Sequence, residues 1–257
     1  MRVSRYLIQR SNEIDLDSLL TMAAGIATTS PVTRAGLARA LAPIQPNTAP
    51  QILAFVTRAL LPLVQIPPRG KFRNYGPARY LTYESWIGRQ AELPDTEALA
   101  RRYLRAFGPA TAADFAAWSG LTGTRELLAR MEGFRRFRNQ NDGLLYDLPG
   151  LPVPASDTPA GIRFLPALDN ALLGYADRTR IVPAGYEEFA RLAQNRFRGP
   201  ILVDGFVAGK WSVLRGKPKV TMRIELVGEK SDAIRDEGLA LLNFLEPDAR
   251  SYSVITR

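Results

Sequence analysis

Histidine and cysteine are both missing from the 257 residues. That removes Ser-His-Asp and Cys-His catalysis, imidazole and thiolate metal sites, disulfides, and the commonest general base near neutral pH. A metal would need oxygen ligands alone; neither metal nor cofactor is expected. What the chain offers instead is positive charge. Lysine and arginine number 34 against 25 aspartates and glutamates, a net +9. Such an excess suits a polyanionic partner, because basic side chains concentrate phosphates and release their counterions on contact. Arginine outnumbers lysine 29 to 5, which GC-rich coding would also produce, so the placement of the charge carries more than its total. Residues 1–90 are net +7, 91–160 net −1 and 161–257 net +3. The basic residues bunch as Arg69, Lys71, Arg73 and Arg79, and again as Arg135, Arg136 and Arg138. Clusters on short segments suit a surface that tracks phosphates; a merely soluble surface mixes signs.

The elements around those clusters repeat one order. Asp15 to Ala27, Thr33 to Leu41 and Thr48 to Leu61 read as helices. The third has Ile52, Phe55, Val56, Ala59 and Leu60 on one stripe. Leu63 to Ile66 and Arg79 to Thr82 read as strands flanking a basic hairpin. In the middle third, Thr96 to Phe107 places Leu99, Tyr103 and Phe107 on one helix face. Thr111 caps a second helix through Trp118, with Phe115 and Trp118 inward, and Thr122 to Met131 forms a third. Phe134 to Gln140 and Leu144 to Leu148 are strands joined by the turn Asn141-Asp142-Gly143. Helix, helix, helix, strand, turn, strand is the order of a winged helix, whose third helix can enter the major groove while the hairpin flanks it.

Pro149 to Pro159 reads as an extended linker. Beyond it, Arg163 to Leu165, Ile201 to Val203, Phe206 to Ala208 and Val220 to Leu226 read as strands. Asp204-Gly205 forms a two-residue turn, and Lys230 to Leu245 is a helix with Ile234, Leu241, Leu242 and Leu245 on one stripe. The expected class is α+β: tandem winged-helix units (helix-turn-helix plus β-hairpin wing), then a small antiparallel sheet with a C-terminal helix. The expected divisions are 1–90, 91–150 and 151–257. No apolar run reaches the length of a membrane span, and Met1 to Arg10 has no apolar core for a secretory signal. A cytoplasmic protein without membrane contact is expected.

Particular residues then carry a likeness. Pro68-Arg69-Gly70, Trp86-Ile87-Gly88, Arg102-Tyr103-Leu104 and Phe107-Gly108-Pro109-Ala110-Thr111 lead on to Asp114 and Trp118-Ser119-Gly120-Leu121. Leu145-Tyr146-Asp147-Leu148-Pro149, Arg163-Phe164-Leu165-Pro166, Asp169-Asn170 and Ala176-Asp177-Arg178-Thr179-Arg180 follow. Val203-Asp204-Gly205 with Gly209 and Trp211 complete the series. In this order they resemble the bacterial winged-helix DNA-binding family that includes the AlkZ-type DNA glycosylases, which unhook bulky adducts and crosslinks. The likeness runs from Pro67 almost to the C-terminus.

The resemblance implies double-stranded DNA as partner and a role related to repair. In the family's glycosylases a further N-terminal unit holds a Gln-x-Gln or Gln-x-Asp motif that positions the attacking water. Here no two glutamines lie two apart. Gln140-Asn141-Asp142 spells Gln-x-Asp, but its backbone demands place it in the hairpin turn. A chain that starts after the catalytic segment, a shortened relative or a truncated product, is therefore expected.

DNA contacts are expected from Arg69, Lys71 and Arg73 on the first hairpin, from Arg135, Arg136 and Arg138 on the second, and from Thr122, Thr124 and Arg125 where the third helix of the second unit opens. Lys210, Lys217 and Lys219 are expected to fringe the C-terminal sheet. Base excision needs a group that orients water and stabilises a sugar cation. Asp169, Asn170, Asp177 and Arg178 are the candidates for a remnant of such a site, against turn formation at Asp169-Asn170 and an ion pair of Asp177 with Arg178 or Arg180. The leading expectation is a DNA-binding protein lacking the glutamine motif. An active glycosylase and a protein-interaction module are the alternatives.

Overall fold

The architecture comes from a computed structural model and is described for residues 14–74, 76–188, 199–216, 219–228 and 231–257. It is mixed α+β, with nine helices and three sheets among the described residues. The chain divides into two compact units, Met1–Asp95 and Thr96–Arg257.

In the first unit, α1 (Leu16–Thr29) starts where the Asp15 carboxylate accepts hydrogen bonds from the Ser18 N–H at 3.1 Å and the Ser18 hydroxyl at 2.7 Å, which satisfies an orphan donor of the first turn. The strand β1 (Val32–Thr33), the helix α2 (Arg34–Leu41) and the helix α3 (Pro50–Leu60) follow. The face that α3 buries is Leu53, Ala54, Val56 and Thr57, whereas Phe55 is 39% and Leu60 49% exposed. The expected stripe is therefore rotated. A helix that is apolar on two faces leaves the choice to its neighbours, and here Leu19, Leu37 and Leu41 supply the opposing core. The strands β2 (Leu63–Ile66) and β3 (Arg79–Thr82) pair antiparallel, and β3 also takes β1, giving the order β1-β3-β2. A short α4 (Tyr83–Ile87) follows, capped by the Thr82 hydroxyl and ended by Gly88 in the left-handed region.

The second unit opens with α5 (Thr96–Phe107), α6 (Ala112–Ser119) and α7 (Thr124–Arg130), then the antiparallel hairpin β4 (Arg135–Arg138) and β5 (Leu144–Asp147). A bridge between Ala110 and Tyr146 ties the α5–α6 connection to β5. Tyr103, Phe107, Phe115 and Trp118 pack ring against ring, the Tyr103 centroid lying 5.2–5.3 Å from the other three. Their spacing on two amphipathic helices predicts this core. Thr111 caps α6 as expected, and Asp114 reaches back to the Thr111 N–H to complete a capping box. The third helix starts two residues later than expected, because Gly123 at φ +69 turns the chain immediately before Thr124.

Residues 151–161 carry no helix or strand. The strands β6 (Ile162–Phe164), β7 (Gly199–Val203), β8 (Phe206–Arg215), β9 (Lys219–Leu226) and β10 (Ser251–Thr256) form one sheet in the order β10-β9-β8-β7-β6. Asp204 and Gly205, both at positive φ, make the expected two-residue turn between β7 and β8. The sheet is not wholly antiparallel, as β10 runs parallel to β9. The intervening helix α9 (Asp232–Leu245) carries the chain back to the start of the sheet, so the next strand can only run in the original direction. Ile234 and Leu242 of α9 are buried against Ile201, Val220, Met222 and Ile224. Lys230, the expected first residue of this helix, lies outside the described residues.

Candidate nucleic-acid interface

The second hairpin presents its arginines to solvent. Arg135, Arg136 and Arg138 are all exposed on β4, while Phe137 between them is half-buried. The Arg135 guanidinium lies over the Phe137 ring at 4.8 Å and that of Arg136 over Tyr146, its cross-strand neighbour, at 6.0 Å. Ring faces hold the guanidinium planes without consuming their N–H donors. No ion pair of Arg135 or Arg136 with a carboxylate occurs among the described residues. Arg138 differs: it donates to the Asp142 carboxylate at 2.9 Å and to the Asp142 carbonyl at 2.9 Å, closing its own turn. Both partners are well exposed, so the pair is weak and phosphate can compete for it.

Sequence reasoning passed over the outer face of α5. Arg101, Arg102 and Arg105 are exposed there. Arg101 donates to the Glu132 carbonyl at 3.2 Å and stands over the Phe134 ring at 5.2 Å, beside the root of β4. The signal was present in the i, i+4 spacing of Arg101 and Arg105 opposite the buried Ala100, Tyr103 and Leu104. On α7, Arg125 and the preceding Thr122 are exposed, but Thr124 is buried and its hydroxyl donates to the Ala112 carbonyl at 2.9 Å. Thr124 thus ties α7 to α6. In the first unit, the Arg69 guanidinium donates across the hairpin loop to the Gly76 carbonyl at 2.8 Å, while Lys71 and Arg73 are exposed beyond it. Lys210 departs from its expected place at the fringe: it is buried in β8 and paired with Glu225 at 2.8 Å. Lys219 is exposed, and Lys217 lies outside the described residues.

A second constellation joins the aromatic core to the loop after α8 (Asn170–Leu173). One oxygen of the buried Asp114 carboxylate accepts from the Thr111 N–H and hydroxyl, both at 2.9 Å. The other accepts from the backbone N–H groups of Ala176 at 2.8 Å and Asp177 at 3.3 Å. The Tyr103 hydroxyl donates to the Gly174 carbonyl at 2.7 Å, that of Tyr175 to the Phe107 carbonyl at 3.0 Å, and Arg180 to the Pro109 carbonyl at 3.1 Å. Burial raises the Tyr103 hydroxyl pKa, and the Asp114 charge raises it further. Burial also raises that of Tyr175, against the opposing pull of Arg180, whose guanidinium lies over the Tyr175 ring at 4.8 Å. Residues 174–180 are thus held by hydrogen bonds at both ends.

The four remnant candidates lie on this loop and at its entry. Asp169 caps α8 by accepting from the Ala171 N–H at 2.7 Å, and Asn170 is the exposed first residue of that helix. Asp177 accepts from the Thr179 N–H at 2.9 Å and hydroxyl at 2.8 Å. Those bonds hold its carboxyl below the ordinary carboxylate range, with a smaller contribution from Arg180. Arg178 and Thr179 line a cavity of about 470 Å³ together with Ala176, Val182, Ala184 and Glu187. Thr179→Ala removes the hydroxyl but keeps the backbone N–H, the larger influence, so it should raise the Asp177 pKa part of the way towards its ordinary value, measurable by titrating the carboxyl carbon resonance; an unmoved midpoint would show that the Thr179 hydroxyl does not stabilise the anion. Because the folded pKa is lowered, the associated stabilisation is present above the ordinary carboxylate pKa and fades as pH falls through the lowered one.

Comparison with known proteins places these features in context. A family model described as "DNA glycosylase AlkZ-like" matches residues 3–244. The match begins well before Pro67, so it takes in the earlier part of the first unit, which the recognisable residues left outside the likeness. Among solved structures, the DNA glycosylase AlkZ of Streptomyces sahachiroi is similar, with a TM-score of 0.65 and 18% identity over 94% of this chain and 69% of the other. No curated protein matches. No helix among the described residues is long and apolar enough to cross a membrane.

Proposed function

Since the chain belongs to the AlkZ-like DNA glycosylase family, we propose that it grips duplex DNA through the arginines of its second unit. The observation that carries this reading is the β4 edge, where Arg135 and Arg136 are exposed and lie on aromatic rings. Arg101 beside Phe134, Arg102 and Arg105 extend the cationic surface along α5, and Arg125 and Thr122 add to it at α7. In the first unit Lys71 and Arg73 are the phosphate contacts, with Arg69 bracing their loop. Each set of three helices and a hairpin is a winged helix, with modules over 1–90 and 91–150 and a C-terminal module over 151–257. Phosphate contacts of this kind position the protein without reading sequence.

A salt titration of duplex affinity tests the reading. Electrostatic gripping predicts a log–log slope of about −0.9 for each phosphate neutralised. No duplex affinity at low salt would favour a protein-interaction module instead. Family membership favours one further reading, an active glycosylase whose carboxylate is Asp169 or Asp177. Catalysis would generate abasic sites in alkylated duplex, and these would vanish on replacing the responsible carboxylate; their absence with the unaltered protein rejects that reading.

A further inference from the structure

The connection between β2 and β3 is braced by hydrogen bonds within itself. Gln65 donates to the Arg69 carbonyl at 3.4 Å, Arg69 to the Gly76 carbonyl at 2.8 Å, and the Lys71 N–H to the Pro68 carbonyl at 3.2 Å. The Asn74 N–H then donates to the Lys71 carbonyl at 3.1 Å, closing a turn with Phe72 and Arg73 at its corner. Arg73 occupies the left-handed region at φ +59. A long side chain is uncommon there, and such strain gathers where a loop presents something. What this turn presents is the Phe72 ring, 61% exposed, with a cation on either side.

We propose that Phe72 is a stacking wedge that inserts where the base stack of duplex DNA is interrupted; this deepens the DNA-binding reading and rests on it. Lys71 and Arg73, both exposed and flanking Phe72 in sequence, would then meet phosphates while the ring meets the bases. A ring entering an intact stack must first separate two bases. At a gap that separation cost is already met, so the ring gains base contact without it. A membrane surface fits less well, because Gly70 and Asn74 on the same tip add no apolar side chain.

Fluorescence anisotropy with the full chain compares a continuous duplex with the same duplex carrying one tetrahydrofuran abasic analogue opposite 2-aminopurine. The unaltered protein should bind the gapped duplex about tenfold more tightly and quench the 2-aminopurine. Phe72→Ala should reduce the ratio to about one, remove the quenching and keep the affinity for continuous duplex, whereas Phe72→Trp should keep the preference. Equal affinity of the unaltered protein for both duplexes, or an undiminished preference in Phe72→Ala, overturns the wedge while leaving the DNA-binding reading in place. Failure to bind either duplex overturns that reading and the wedge together.

Discussion

Changing Arg135, Arg136 and Arg138 together to glutamate is expected to weaken duplex binding by at least about a hundredfold, as three favourable phosphate contacts become three repulsions. The fold should survive. All three side chains are exposed, and two of them lie over ring faces, so each substitution should cost no more than about 1 kcal/mol. Arg138 also loses its bonds to Asp142, but surface pairs of this kind contribute about 0–1 kcal/mol. Circular dichroism and a thermal melt would check the fold, and anisotropy the affinity. Unchanged affinity with an unchanged melt would remove this hairpin from the interface.

The largest stability effect is expected from Asp114→Ala. Its carboxylate is the shared acceptor for donors on Thr111, Ala176 and Asp177. Removing it strands those donors in a part-buried setting, which should destabilise by about 3–5 kcal/mol. The melting midpoint should fall by several degrees or more. Asp114→Asn keeps an acceptor and should lie between the two. Amide hydrogen exchange would locate the damage: Ala176 and Asp177 should lose protection, while the Thr221 and Arg223 amides of the β-sheet should keep theirs. A melt unchanged by Asp114→Ala would show that the loop is held by other contacts alone.

Local physics made much of this legible in advance. The aromatic core of the second unit follows from helical spacing, the turn at Asp204-Gly205 from backbone chemistry, and the Thr111 cap from its place before an apolar run. What stayed hidden depends on partners distant in sequence. The Thr111 cap is visible at a separation of three residues, but the reach of Asp114 to Ala176 and Asp177 crosses more than sixty and leaves no periodic trace. Thr124 looks like a residue opening a helix, yet its hydroxyl is spent on the Ala112 carbonyl. Lys210 sits in β8, and nothing nearby announces Glu225, which lies on the next strand but is its direct partner in the register. Phe72 falls in a loop without periodicity, so only its exposure distinguishes it from a core aromatic.

The salt dependence of duplex binding, compared between the unaltered chain and an Arg135→Ala/Arg136→Ala variant, tests the proposed grip most directly. If both guanidinium groups rest on phosphates, the magnitude of the log–log slope falls by about two and affinity drops alike for unrelated sequences. A slope identical in the two proteins would mean that these arginines neutralise no phosphate, and would contradict the account.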